Sequence, residues 1–180
     1  MKIEGLEISG TFEVFTTTFQ DSRGSFEKIY SDELYDKAGL AFRVKQSNLS
    51  RNTLKATVRG MHFQSSPLEE CKIVTCVSGE IFDVMVDLRQ SSKTFGLWQS
   101  VILKPSLNAV YIPAGVAHGF QTLSHNSIIQ YLHSENYNQS LTAGVKYDDP
   151  DIGVKWPLNV SEISKSDLSL PSLAELRSIL

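Results

Sequence analysis

Short apolar segments, rich in β-branched and aromatic residues and broken at regular intervals by turn signals, constrain this chain more than any other feature. They are TFEVFTTTF (11–19), ATVRGMHF (56–63), KIVTCV (72–77), EIFDVMVDL (80–88), QSVILK (99–104), NAVYIP (108–113) and SIIQYLH (127–133). Val, Ile, Phe and Tyr supply their bulk, which favours strands over helices. The punctuation falls at Ser78-Gly79, KPSLN (104–108), IPAG (112–115) and DDPD (148–151). Ser78-Gly79, between two apolar runs, reads as a tight hairpin turn. Many short strands at this spacing predict a sandwich or barrel. Two short helices are expected at its edge. SDELYDKAG opens on Ser31 as N-cap and stops at Gly39. Ser172 and Glu175 fit a capping box, with Leu173 and Leu176 on one face.

The chain has 180 residues, which suits one domain (1–180) with a real core. No linker or repeat interrupts it. A net charge of -3 argues against a nucleic-acid partner, which calls for a basic face. No stretch has the length of a membrane-spanning helix, and MKIEGLEISGTFEVF lacks the apolar run of a signal peptide. Cys71 and Cys76 are an odd number of residues apart on one predicted strand, so they face opposite sides. They read as reduced thiols in a cytoplasmic protein.

Four histidines are present, and two sit in distinctive strings: His62 in VRGMHFQ and His118 in IPAGVAHGF. A strand, a Pro-x-Gly turn and a following histidine resemble the second motif of the cupins. The cupins' first motif often carries two close histidines and a glutamate for a metal. Here that region has His62 alone, with Glu69 and Glu70 further on, so no metal is expected. No dinucleotide fingerprint or P-loop is present, and no organic cofactor is expected. Asp83 and Asp87 share a strand face by their even spacing and read as structural or pocket-rim groups. His125 and His133 read as exposed or structural. Arg59 and His62 are three residues apart, so a regular strand would turn them to opposite faces. Both reach one pocket only if the strand is distorted, which Gly60 between them permits as a bulge, or if Arg59 acts from a different wall.

The strings DSRGSF (21–26), QSNLS (46–50), VRGMHFQ (58–64), KIV (72–74), GEIFDVMVDLR (79–89), IPAGVAHGF (112–120) and KWP (155–157) follow one another in an order and spacing similar to the dTDP-4-dehydrorhamnose 3,5-epimerase family. The resemblance runs from about Asp21 to Asp167. It implies a mainly β fold, a cupin-type jelly-roll barrel with a few short peripheral helices. It implies cofactor-independent epimerisation at C3 and C5 of a nucleotide-linked 4-keto-6-deoxy hexose, with a single-carbon epimerase as the alternative. His62 matches the general base and Asp167 the carboxylate that orients it. Tyr131 matches the acid on the opposite face, and Lys72 the lysine near the keto oxygen. Arg23, Gln46, Asn48, Arg59 and His118 match residues that line the substrate pocket. Arg23 and Phe26 match a segment that reaches into a partner subunit, which implies a homodimer. Taken singly, His62, Tyr131, Asp167, Lys72 and Arg59 each fit a structural or surface role better than a functional one. The chain departs from the family at Lys28, at Glu70 (where glutamine is usual), at Val116 and at Tyr147–Asp149. The nucleotide (dTDP, CDP or GDP) and the choice between one and two inverted carbons stay open. A metal-dependent cupin and a non-catalytic sugar-nucleotide binder are the competing readings.

The chemistry is coherent on its own terms. A hydrogen beside a ketone is acidic because its carbanion spreads onto oxygen. Inverting that carbon needs a base on one face and an acid on the other. Neutral imidazole suits the first role near pH 7, with a carboxylate to fix its tautomer. A lysine ammonium stabilises the enolate oxygen, and arginine forks suit a diphosphate.

Overall fold

A computed structural model describes residues 2–178. The chain enters through β1 (Lys2–Gly5), β2 (Phe12–Phe15), β3 (Thr18–Asp21), β4 (Gly24–Glu27) and α1 (Asp32–Lys37). It continues through β5 (Gln46–Asn52), β6 (Val58–Gln64), β7 (Lys72–Ser78), β8 (Ile81–Asp87) and β9 (Trp98–Leu103). It closes with β10 (Asn108–Ile112), β11 (Val116–Thr122), β12 (Ser127–His133), β13 (Thr142–Gly144), α2 (Lys165–Leu168) and α3 (Leu173–Arg177). The main strands form two sheets, β1-β2-β10-β7-β12-β5 and β13-β6-β11-β8-β9. β3 and β4 pair only with each other. All strand pairs between named strands are antiparallel. From β5 to β13 the chain changes sheet at every connection except β8 to β9. The fold is the expected mainly β, cupin-type barrel.

Alternation along the strands sorts residues into three apolar layers. Val74 and Cys76 of β7, Val110 and Ile112 of β10 and Ile129 of β12 point inward. They meet Ile81 and Met85 of β8 and Val116 and Phe120 of β11 between the sheets. The intervening residues of β8, Val84 and Val86, face out and are covered by Val145, Ile152, Leu173 and Leu176. Ile73, Ala109 and Tyr111 lie on the outer face of the other sheet under Tyr35, Leu40 and Phe42. Each fully buried side chain of this size contributes about 1.5–3 kcal/mol. With apolar cover on both outer faces, one end of the barrel interior can carry polar groups.

Ser78-Gly79 is a tight turn, with Gly79 at φ +81, but not a hairpin. β7 lies between β10 and β12, whereas β8 lies between β11 and β9. The turn passes the chain from one sheet to the other, and local turn chemistry does not distinguish the two cases. Ser31 occupies the N-cap position of α1 but makes no capping hydrogen bond through its side chain. The Ser172–Glu175 capping box forms, and Leu173 and Leu176 are buried beneath it. α2, which carries Asp167, has no counterpart in the sequence reading.

The expected distortion of β6 is present. His118 of β11 opposes His62, and Phe120 opposes Arg59. Two steps along β11 therefore match three along β6, so β6 carries one extra residue and its side-chain alternation is reset. Gly60 sits in this bulge at φ +117. A β-carbon there would come within 2.5 Å of the Gly119 Cα and 2.7 Å of the His118 carbonyl oxygen. Both contacts are backbone and cannot swing aside. Gly60→Ala is expected to cost about 3 kcal/mol or more in urea denaturation. An unchanged midpoint would show that the bulge tolerates a side chain.

Asp87 closes β8. Its carboxylate takes hydrogen bonds from Arg89, from the Ser92 hydroxyl at 2.6 Å and from the Thr94 hydroxyl at 2.6 Å. Burial alone would raise its pKa, but these bonds and the Arg89 backbone N–H outweigh it and bring the pKa down to about 2. A depressed carboxylate stabilises the fold fully above its unfolded pKa, near 4, and loses that contribution as pH falls towards 2. Asp87→Asn should therefore be less stable than the parent at pH 7, with the gap in denaturation midpoint closing near pH 2. A gap independent of pH would assign the effect to packing rather than charge.

Candidate active site

One end of the barrel interior opens into a cavity of about 710 Å³. Its walls come from both sheets. The five-stranded sheet contributes Arg59 and His62 from β6 and His118 and Phe120 from β11. The six-stranded sheet contributes Asn48 from β5, Lys72 from β7 and Tyr131 and His133 from β12. Asp167 reaches in from α2. Most of the residues singled out in the sequence thus converge on one space.

His62 and Asp167 form a pair, with Nε2 2.9 Å from Oδ1. Asp167 is buried, and its second oxygen accepts the Gly60 backbone N–H at 3.1 Å. The bulge that turns His62 inward thereby also anchors its partner. Burial would raise the Asp167 pKa, but the hydrogen bond and charge of His62, the Gly60 N–H and Ser164 together lower it. An ionised Asp167 can only accept, so the hydrogen bond comes from His62 Nε2–H, and the tautomer this selects for the neutral ring has its lone pair on Nδ1. Among the described residues no hydrogen bond engages Nδ1.

Tyr131 stands on the opposite sheet. Among the described residues its hydroxyl has no hydrogen-bond partner. Its ring meets His118 edge-on, with centroids 5.8 Å apart, and stacks on His133 at 5.8 Å. Burial, reinforced by the negative charge of Asp83 and opposed by Arg59, holds its pKa well above the ordinary phenol value. Tyr131 therefore presents an O–H donor to the cavity at any working pH.

Lys72 is buried, 7% exposed. Its ammonium donates to the His62 carbonyl at 3.2 Å and pairs with Glu70 at 3.1 Å, so it spans the two sheets. His118 is held from behind by Asp83, Nε2 to Oδ2 at 2.7 Å. Asp83 is completely buried, and that burial raises its pKa against the pull of His118 and Lys72. Of the two carboxylates read as structural, Asp83 thus anchors a cavity residue and Asp87 does not. Arg59 donates to Asn52 at 2.7 Å, tying β6 to β5.

Three expected pocket residues lie elsewhere. Gln46 does not line the cavity, but it supports the mouth by donating to Asn48 at 3.2 Å and accepting the Tyr137 N–H at 2.9 Å. Arg23 and Phe26 sit on the β3–β4 hairpin, away from this chain's own cavity. Phe26 is 74% exposed, and among the described residues Arg23 pairs with Asp21 alone. His133, read as exposed or structural, is a half-buried part of the wall, bonded to Glu70 at 2.8 Å. Its even spacing from Tyr131 was the signal that could have placed it there. His125 is exposed, as read. Tyr137 at the mouth had no sequence signal. Among the described residues no three His, Cys, Asp or Glu side chains are grouped so as to hold a metal ion.

The arrangement brings an imidazole from one sheet and a phenol hydroxyl and an ammonium from the other to a single cavity. That is what proton removal and return on opposite faces of a carbon beside a ketone requires. The model of the dTDP-4-dehydrorhamnose 3,5-epimerase family matches residues 5–175. A dTDP-4-dehydrorhamnose 3,5-epimerase of Sinorhizobium fredii is 37% identical over 178 residues, covering 98% of this chain and 91% of that protein. A dTDP-4-dehydrorhamnose 3-epimerase of Streptomyces niveus is 37% identical over 179 residues, covering 98% and 86%. The solved structure of the rmlC epimerase of Mycobacterium tuberculosis superposes with a TM-score of 0.94 at 38% identity, covering 99% of this chain and 92% of that one.

Proposed function

The chain belongs to the dTDP-4-dehydrorhamnose 3,5-epimerase family, and on that premise we propose that it inverts C3 and C5 of a dTDP-linked 4-keto-6-deoxy hexose without a cofactor. One observation carries this reading: His62 and Tyr131 project from opposite sheets into a single cavity. In the proposed reaction His62 Nδ1 takes the proton beside the ketone, and Asp167 stabilises the imidazolium. Lys72 stabilises the enolate oxygen. Tyr131 returns a proton to the other face. Arg59, Asn48 and His118 hold the substrate. The exposed Arg23 and Phe26 fit a role in the cavity of a partner subunit, which makes the active unit a homodimer. Both cysteines are free thiols, which suits a reducing compartment, and we assign the enzyme to the cytoplasm on that ground.

A second reading has its own support, because the Streptomyces niveus relative is named as a 3-epimerase and matches at the same identity. Solvent exchange separates the two. The protein is incubated in heavy water with dTDP-4-keto-6-deoxyglucose, and the sugar is read by NMR. Deuterium at C3 and C5 with inverted product is the expected result. Deuterium at C3 alone would replace the double epimerase with a single one. No deuterium with the dTDP, CDP or GDP sugars would remove the enzyme reading.

A further inference from the structure

Glu70 lies two residues before Lys72, where the family resemblance calls for glutamine. Its carboxylate is fully engaged. Oε1 is 3.1 Å from the Lys72 ammonium and Oε2 is 2.8 Å from His133 Nδ1. The side chains of Glu70, Lys72 and His133 are 9%, 9% and 13% exposed. His133 in turn lies 3.4 Å from the Asn48 amide nitrogen through Nε2 and stacks on the Tyr131 ring. Burial would raise the Glu70 pKa, but the His133 hydrogen bond and the Lys72 charge lower it, so the carboxylate is ionised. An ionised acceptor at Nδ1 fixes the His133 proton there. Nε2 is then the acceptor for Asn48.

The geometry bears on Lys72. An ammonium has three N–H groups on a flexible four-carbon stem. Two are taken, by Glu70 and by the His62 carbonyl. With both fixed, the direction of the third is set, and Lys72 lines the cavity. We propose that Glu70, braced by His133, is a positioning residue that aims the remaining Lys72 N–H at the substrate's keto oxygen. This rests on the epimerase reading above. Glu70 also lines the cavity, but its role in this proposal is exerted through Lys72. It acts by keeping a donor in place before charge develops on oxygen, which is where such a donor is most effective. A group needed only as the enolate forms affects kcat rather than substrate binding.

Three proteins test it: the parent, Glu70→Ala and Glu70→Gln. Glutamine keeps an oxygen that accepts from Lys72, and alanine does not. The expected result for Glu70→Ala is a kcat about tenfold or more lower with KM within about twofold. Glu70→Gln should recover to within about threefold of the parent kcat. A readout without substrate accompanies the kinetics. The ammonium proton–nitrogen NMR signal of Lys72, identified by its loss in Lys72→Arg, should persist in the parent and in Glu70→Gln. It should broaden away through water exchange in Glu70→Ala. An unchanged kcat for Glu70→Ala, a loss confined to KM, a glutamine variant as poor as alanine, or a Lys72 signal alike in all three would each overturn the proposal. If the parent itself fails to turn over the sugar, the epimerase reading fails, and the Lys72 signal still decides whether Glu70 holds the ammonium.

Discussion

His62→Ala is expected to lower kcat by about 10³-fold or more while the protein stays folded. The reasoning starts from what His62 touches. Its ring makes one hydrogen bond, to Asp167, and its side chain is 37% exposed towards the cavity. Removing it takes little from the apolar layers. Asp167 keeps its Gly60 contact and its place on α2. The loss in rate has no substitute within the cavity. His118 has Nε2 committed to Asp83, and His133 has Nδ1 committed to Glu70. Deuterium wash-in at C3 and C5 should vanish together with product formation, and the thermal midpoint should stay within a few degrees. A variant that still exchanges both positions at the parent rate would transfer the base to another group.

Tyr131→Phe should separate two steps that His62→Ala removes together. Phenylalanine keeps the ring against His118 and His133 and deletes only a hydroxyl that, among the described residues, has no hydrogen-bond partner. His62 can still withdraw a proton, and that proton can return from the same side. The expected result is exchange on the His62 face within about tenfold of the parent and inverted product down by about 10²–10³-fold. Quenched time points analysed for label and for configuration give both numbers. Equal losses in exchange and inversion would mean that Tyr131 serves binding or enolate formation instead. Full inversion would place the returning acid elsewhere, with a water as the first alternative.

The two variants probe side chains whose convergence was only partly legible in the sequence. Strand composition was enough to identify β7, β8, β10 and β12, because β-branched runs bounded by Gly, Pro or Asn have few other conformations. β11 lay hidden inside a turn motif and β5 inside a polar string, QSNLS, whose exposed face breaks the apolar pattern. Pairing was the weak point. Ser78-Gly79 has the chemistry of a hairpin turn, but the strands it joins belong to different sheets, and no local signal records that. His62, Tyr131, Asp167 and Lys72 come from β6, β12, α2 and β7, with up to 105 residues between hydrogen-bonded partners. Only their resemblance to a family grouped them in advance. Glu70 and His133 illustrate the limit. One was noted as a departure and the other as a bystander. Their bond depends on a loop before β7 meeting the end of β12, which strand periodicity does not encode.

The extra residue in β6 has a consequence for how this enzyme can vary. Strand alternation works as a two-beat clock, and the bulge shifts its phase once, between Arg59 and His62. Substitutions elsewhere on β6 leave that phase alone. Deleting Gly60 would restore the regular beat and send either Arg59 or His62 out through the barrel wall. The same deletion in the Thr53–Ala56 connection would only shorten a loop. A side-chain substitution around the cavity therefore leaves the phase of β6 intact, whereas a change of one residue in its length cannot keep both groups inside.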